Sequence, residues 1–252
     1  MQRLFTYGCS YTNYIWPSWA DIIATNFEDY YNYGSPGAGN YYITQKLYET
    51  HLKQIITKDD VVLIMLSSSN RFDVYNSTEQ KFNFSGNIYN SEDYFGQKFV
   101  REVWNDVHSV YNTWLMVKSI QSLLTSIGCQ YKIVEAFGLL TTDEGFEIDT
   151  DDTIKLLVDD YKNSVYTNDT LQNFSTHYTP SSYTFTDTTP PNQLDGHPTI
   201  RCHHDFVKTH MVEFYHSQME DISTKWEAQI QSTLNDIRTT KFLHQKIKKK
   251  LF

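Results

Sequence analysis

The chain has 252 residues, enough to bury a substantial core in one enlarged α/β domain, and carries 21 Lys and Arg against 30 Asp and Glu for a formal charge of −9. That balance, with an isoelectric point near 5.4, speaks against nucleic acid as a partner, because phosphate binding needs clustered positive charge and the one basic cluster, at 246–250, reads as a solvated helix end. No apolar stretch is long enough to span a bilayer, and Cys9, Cys129 and Cys202 have no paired spacing, so free thiols in a reducing compartment are expected.

In chain order, residues 4–7 read as a first strand. It begins so close to Met1 that no secretion signal is expected, which points to a cytoplasmic or virion-associated protein. Residues 16–27, with Trp19, Ile22, Ile23 and Phe27 on one face, read as a helix, and 30–33 as a second strand. The Gly- and Pro-rich segment 34–40 is a turn, followed by a helix through Ile43, Leu47, Leu52 and Ile55. Residues 61–66 form a continuous apolar run, the mark of a strand covered on both faces in a parallel sheet.

Residues 72–96 show no clear period and read as a long polar and aromatic loop, one that supplies no broad apolar cleft. A helix is predicted over 99–127 with Gly128 as its stop, a buried strand over 131–137, and an insertion over 141–194 holding one helix at 154–161. Two helices close the chain. One passes through Phe206, Val207, Met211 and Phe214, and an amphipathic one carries Trp226, Ile230, Leu234, Ile237, Leu243, Ile247 and Leu251.

Alternating strands and helices predict a three-layer α/β/α sandwich around a central, mostly parallel sheet of flavodoxin-like type, with long loop insertions and an extended C-terminal helix. Residues 1–223 are assigned to that domain, with 72–96 and 141–194 as insertions or lids, and 224–252 to the C-terminal helix with its basic end. The stripe of that helix suits a contact with a second copy or a virus particle.

The chemistry concentrates at four places. Ser10 follows the first strand in Gly8-Cys9-Ser10, Gly37 lies in the turn after the second, Asn70 follows the third, and His197 stands in Asp195-Gly196-His197-Pro198. Acyl transfer needs a nucleophile, a base for its proton and donors for the developing oxyanion. These four residue types supply such a set. Their order and spacing resemble the SGNH hydrolases, also called GDSL esterases and lipases, and the Gly-Cys-Ser-Tyr-Thr opening resembles members from phages and marine microbes.

That resemblance implies Ser10 as nucleophile, His197 as base, and an oxyanion hole of the Ser10 and Gly37 N–H groups with the Asn70 amide. It also implies that Tyr11, Asn40 and Arg71, which adjoin these residues, touch substrate. The family places its acid three residues before the His. Leu194 stands there, so Asp195, two before, is the expected third member, and a dyad oriented by a backbone carbonyl is the alternative.

The expected function is hydrolysis of a short acyl ester, acetyl first, on a carbohydrate or similar small molecule. Many of the 19 tyrosines, among them Tyr11, Tyr14, Tyr41, Tyr42, Tyr75 and Tyr89, fall in loop-like segments and suit sugar surfaces. The alternatives are a structural or binding module with weak catalysis, for example in a virus particle, and an O-acyltransferase. No cofactor is expected. His197, His203, His204 and His210 lack the spacing of a zinc site, so no metal is expected either.

Overall fold

A computed structural model of the chain describes residues 2–53, 55–90, 96, 98–100, 102–138, 152–166, 168–179, 181–185 and 193–235. Its centre is a four-stranded, all-parallel sheet built from β1 (Arg3–Tyr7), β2 (Asp29–Asn32), β3 (Val61–Leu66) and β6 (Gln130–Glu135), in the order β2-β1-β3-β6. β3 lies inside the sheet and is buried along its whole length, as its unbroken apolar run predicts.

Alternation along the strands divides the core in two. Leu4, Val61, Leu63, Met65 and Val134 face one layer. There they meet α1 (Trp19–Ala24), α6 (Ile200–His210) and α7 (Gln218–Asn235) through Trp19, Ile22, Phe206 and Trp226. Phe5, Tyr7, Val62, Ile64 and Leu66 face the other. That layer is α2 (Asn40–Leu52), α3 (Asp106–Ile127) and α4 (Asp152–Ser164), which contribute Ile43, Leu47, Val117, Ile120 and Tyr161. Each such fully buried aliphatic or aromatic side chain stabilises the fold by about 1.5–3 kcal/mol relative to exposure. The molecule is the three-layer α/β/α sandwich expected.

Several boundaries differ from the periodicity, and caps explain them. α1 starts at Trp19 because Ser18 and Asp21 close a capping box. The helix predicted over 99–127 is broken: residues 98–100 and 102 are helical, the chain leaves the helix at 103–105, and α3 starts at Asp106, where the Asn105 side chain accepts from the His108 N–H. It ends where expected, with Gly128 at φ +78° as a left-handed cap. α2 ends at Leu52, whose side chain is exposed.

The largest correction concerns 72–96. Its first part is an antiparallel hairpin, β4 (Arg71–Asn76) paired with β5 (Lys81–Asn87), not a loop. Phe72 with Val74 and Phe82 with Phe84 are alternating pairs, the period-two signal of a strand. The 141–194 region adds α4, α5 (Leu171–Ser175), β7 (Ser182–Phe185) and the first residues of β8 (Gln193–Pro198), which pairs with β7. The rest of 141–194 that lies between α4 and β6, and residues 186–192, fall outside the described residues. The boundary placed at 223/224 lies inside α7, whose Met219, Trp226 and Ile230 belong to the central core. The stripe beyond 235, with the proposed contact through it, lies outside the described residues.

Backbone approaches at the carboxyl end of the sheet leave no room for side chains at Gly8. A Cβ there would sit 2.8 Å from Thr12 Cβ and 3.0 Å from the Met65 carbonyl oxygen. Gly8→Ala is therefore expected to lower stability by about 1–3 kcal/mol, read as a lower urea midpoint with the m-value unchanged. An unaltered midpoint would show that the turn after β1 has slack.

Candidate active site

The carboxyl ends of parallel strands form the crevice where α/β proteins bind ligands, and the turns carrying Ser10, Gly37 and Asn70 follow β1, β2 and β3 at that end of the sheet. Ser10 lies in a turn after β1, in which the Cys9 carbonyl accepts from the Thr12 and Asn13 N–H groups at 3.0 and 3.1 Å. Cys9 points into the core and Ser10 is 5% exposed. The turn is tied to the next block, since the Gly8 carbonyl accepts from the Ser35 N–H (3.0 Å) and Asn13 Nδ2 donates to the Gly34 carbonyl (2.9 Å).

Gly37 occupies the third position of the turn Ser35-Pro36-Gly37-Ala38, closed by an Ala38 N–H to Ser35 carbonyl bond of 3.1 Å. Its φ of +81° and the proline before it match a type II turn, which requires glycine there. Asn70 follows β3 and is buried. Its carbonyl accepts from the Ile88 N–H at 2.8 Å, whereas its side-chain Oδ1 has no hydrogen-bond partner among the described residues. An unsatisfied buried amide oxygen costs about 1–3 kcal/mol.

The residues expected beside these take different places. Asn40 has a structural tie: its Nδ2 donates to the Ser67 carbonyl (2.9 Å) and its Oδ1 accepts from the Ser67 N–H (2.8 Å). This buried amide clamps the start of α2 to the end of β3. Arg71 Nη1 donates to the Ala38 carbonyl (3.1 Å), and its guanidinium lies 5.1 Å from the centre of the Phe137 ring. Tyr11 packs on the same Phe137, with ring centres 4.8 Å apart.

A contact invisible to sequence reading secures this wall. The Asp73 carboxylate, carried by β4, accepts from the Gly39 and Tyr42 N–H groups at 2.8 Å each. It thereby caps α2, whose N-cap Gly39 has no side chain for the task. Burial nonetheless pushes the Asp73 carboxyl above the usual range, against the pull of those two bonds.

His197 Nδ1 lies 2.6 Å from Asp195 Oδ1. The one-residue spacing works because Gly196 adopts φ +86°, a conformation glycine takes without strain. The same Oδ1 accepts from the His197 N–H at 3.2 Å, and Oδ2 accepts from the Tyr14 hydroxyl at 2.6 Å. Burial works against the charge on Asp195, but the bonds from His197 and Tyr14 outweigh it and hold the carboxyl below the usual range.

The Tyr14 ring also stacks on the imidazole, with centres 3.8 Å apart and planes 16° apart, and Tyr11 meets it edge-on at 5.6 Å. Trp16 Nε1 donates to the Pro198 carbonyl (2.9 Å), fastening the segment after Ser10 to the end of β8. Tyr14 had no distinguishing mark in the sequence beyond being one of many loop tyrosines. Only the closeness of 14 and 195 in space reveals it.

Behind His197, His203 of α6 is 1% exposed, and burial, helped by the neighbouring His197, pushes it down to about 3. The unfolded chain takes up a proton near pH 6.5 and the folded one does not, so stability contributed by neutral His203 is full above that pH and is lost as pH falls towards 3. By pH 5 the loss is about 2 kcal/mol. Urea midpoints at pH 7 and pH 5 should therefore differ less in His203→Leu than in the wild type, and equal differences would refute the assignment.

His204 Nδ1 lies 2.6 Å from Asp205 Oδ1, and His210 Nδ1 lies 3.0 Å from the Tyr166 hydroxyl. The histidines after 197 thus have separate neighbours. Among the described residues, no three His, Cys, Asp or Glu side chains converge in a way that could hold a metal ion. Nor is any described helix long and apolar enough to cross a membrane.

A cavity of about 810 Å³ lies between β4 and α3, lined by Ser69, Arg71, Phe72, Tyr75, Trp104 and Met116 among others. Its volume is in the range of small-molecule sites. The 72–96 region therefore does supply apolar lining, contrary to its reading as a polar loop: β4 contributes Phe72, Val74 and Tyr75 to the cavity, while Phe82 and Phe84 of β5 pack against Tyr42.

The fold and site together define an α/β protein with a serine in the turn after its first strand and an Asp-His pair packed against Tyr11 and Tyr14 of the same segment. No protein-family profile and no curated protein sequence matches the chain. Among solved structures it is similar to a GDSL-like lipase from Bacteroides thetaiotaomicron VPI-5482, at 15% identity over 87% of this chain and 88% of that one, with a TM-score of 0.39. A member of the lipolytic protein G-D-S-L family from Veillonella parvula DSM 2008 matches at 12% identity over 84% and 99%, with a TM-score of 0.41. A catalytic mutant of an acetylxylan esterase from Geobacillus stearothermophilus matches at 11% identity over 84% and 93%, with a TM-score of 0.39.

Proposed function

We propose that the protein is a serine esterase of the SGNH type that hydrolyses short acyl esters, acetyl foremost, carried by a carbohydrate or similar small alcohol. The observation that carries this reading is the 2.6 Å Asp195–His197 pair, anchored through Tyr14 to the same turn that displays Ser10. An ionised Asp195 keeps the proton on Nδ1 and leaves Nε2 free to act as base.

In the proposed reaction, Nε2 takes the Ser10 hydroxyl proton as Oγ attacks the ester carbonyl carbon. The oxyanion of the tetrahedral intermediate accepts from the Ser10 N–H, the Gly37 N–H and the Asn70 amide. Collapse breaks the bond to the alcohol, which leaves with the proton from the imidazolium. Water, activated by the same imidazole, then frees the acid from the acyl-Ser10 ester and restores the hydroxyl. No step needs a metal or an organic cofactor.

The low exposure of Ser10 supports a small acyl group. The cavity beyond Arg71, with aromatic faces from Tyr75 and Trp104 and amides from Asn105 and Asn112, supports a larger, ring-bearing alcohol. The test compares wild type and Ser10→Ala on p-nitrophenyl acetate. Equal hydrolysis by the two would overturn the reading.

A further inference from the structure

We propose that Tyr14 is a positioning residue for His197, holding the imidazole by its face and the Asp195 carboxylate by its second oxygen. The proposal rests on the reading of His197 as the base. Because one residue separates acid from base, Asp195 spends Oδ1 on both Nδ1 (2.6 Å) and the N–H (3.2 Å) of His197. Those two contacts leave the carboxylate free to rock about the His197 side.

The Tyr14 hydroxyl, donating to Oδ2 at 2.6 Å, removes that freedom. Burial and the adjacent carboxylate hold the Tyr14 phenol well above its usual range, so it remains a donor throughout the pH range of the reaction. The ring, stacked at 3.8 Å and 16°, closes one face of the imidazole, while Tyr11 borders its edge at 5.6 Å. A charged imidazole over an aromatic face is favoured, so the stack also stabilises the imidazolium formed when Ser10 attacks.

Residues 10 and 14 belong to one short segment, braced by Thr12 and Asn13 N–H bonds to Cys9 and by the Trp16 bond to Pro198. Nucleophile and base are thus referenced to the same piece of backbone although 187 positions of sequence separate Ser10 from His197. The hydroxyl and the ring act on the charged imidazole in opposite directions. The hydroxyl draws charge from Asp195 and so weakens its hold on a proton at His197, and the ring strengthens that hold.

Two variants separate these effects. Tyr14→Phe keeps the stack and loses the bond to Oδ2. It should lower kcat for p-nitrophenyl acetate by about tenfold at little change in KM, and move the acid limb of the kcat/KM profile to higher pH. Tyr14→Leu loses both contacts. It should be slower by about a further tenfold, with an acid limb below that of Tyr14→Phe.

The groups facing the imidazole that could confound the profile are Asp195, Tyr11 and His203. The midpoint of His197 is therefore followed directly by NMR in both variants. That measurement reads the proposal even if the wild type proves to have no Ser10-dependent esterase activity, a result that would remove the catalytic reading and leave the clamp to be judged by the midpoints alone. An upward shift of the midpoint in Tyr14→Phe, with a lower value in Tyr14→Leu, supports the clamp. Identical midpoints in the three proteins, or rate losses matched by loss of folded protein in circular dichroism, overturn it.

Discussion

Ser10→Ala is expected to lower kcat/KM for p-nitrophenyl acetate by roughly 10⁴-fold or more while the melting temperature stays within a few degrees of wild type. The two halves of this expectation have different origins. Among the described residues the Ser10 hydroxyl takes part in no hydrogen bond that holds the turn, and the turn is built from backbone bonds to the Cys9 carbonyl. Deleting one oxygen therefore leaves the scaffold alone. The chemistry, by contrast, loses the only atom that can carry the acyl group in the proposed reaction. Labelling by a fluorophosphonate probe, located by mass spectrometry, should fall on Ser10 in the wild type and vanish in the variant. Labelling elsewhere with undiminished turnover would remove Ser10 from the mechanism.

The second large effect is expected at Asp195. Asp195→Asn preserves shape, and the amide oxygen can still accept from Nδ1, but the negative charge that steadies the imidazolium is gone and the amide can also turn its NH2 towards Nδ1. A neutral or wrongly oriented partner disfavours the tautomer with a free Nε2, and a fall of roughly 10³-fold in kcat is expected. The substitution also has a pH signature. Because the folded-state carboxyl of Asp195 is held below the usual range, it adds stability at pH values above the unfolded value near 4, and that addition is lost as pH falls through the lower folded value. Asp195→Asn should accordingly be less stable than wild type at pH 7, with the gap closing in acid. Near-normal turnover in this variant would mean that His197 is oriented by something other than Asp195, as in the dyad alternative.

How much of this was legible in the sequence depends on the range of the interaction that fixes each part. The central sheet was readable because burial on both faces writes an unbroken apolar run at 61–66 and because Gly128 marks a helix end locally. Ser10, Gly37, Asn70 and His197 were singled out by their order along the chain, and the first three follow parallel strands of the one central sheet. The hairpin was missed although Phe72, Val74, Phe82 and Phe84 alternate, since its polar and aromatic composition obscured the period. The structural bond of the Asn40 amide to the Ser67 backbone could not be read either, because it depends on how α2 docks against β3. Tyr14 and Asp73 lay beyond reach altogether. Their partners, Asp195 and the N-terminus of α2, are brought to them only by the folded topology.

The anchoring of the hairpin has a practical side. Its base is locked by Asp73 on α2 and by Arg71 on the Ala38 carbonyl, whereas its tip, Ser77, Thr78, Glu79 and Gln80, is exposed and held by local bonds to the Asn76 side chain. Altered or lengthened tips at 77–80 are therefore expected to leave the loop carrying Asn70 in place, which makes this the part of the hairpin most tolerant of insertion.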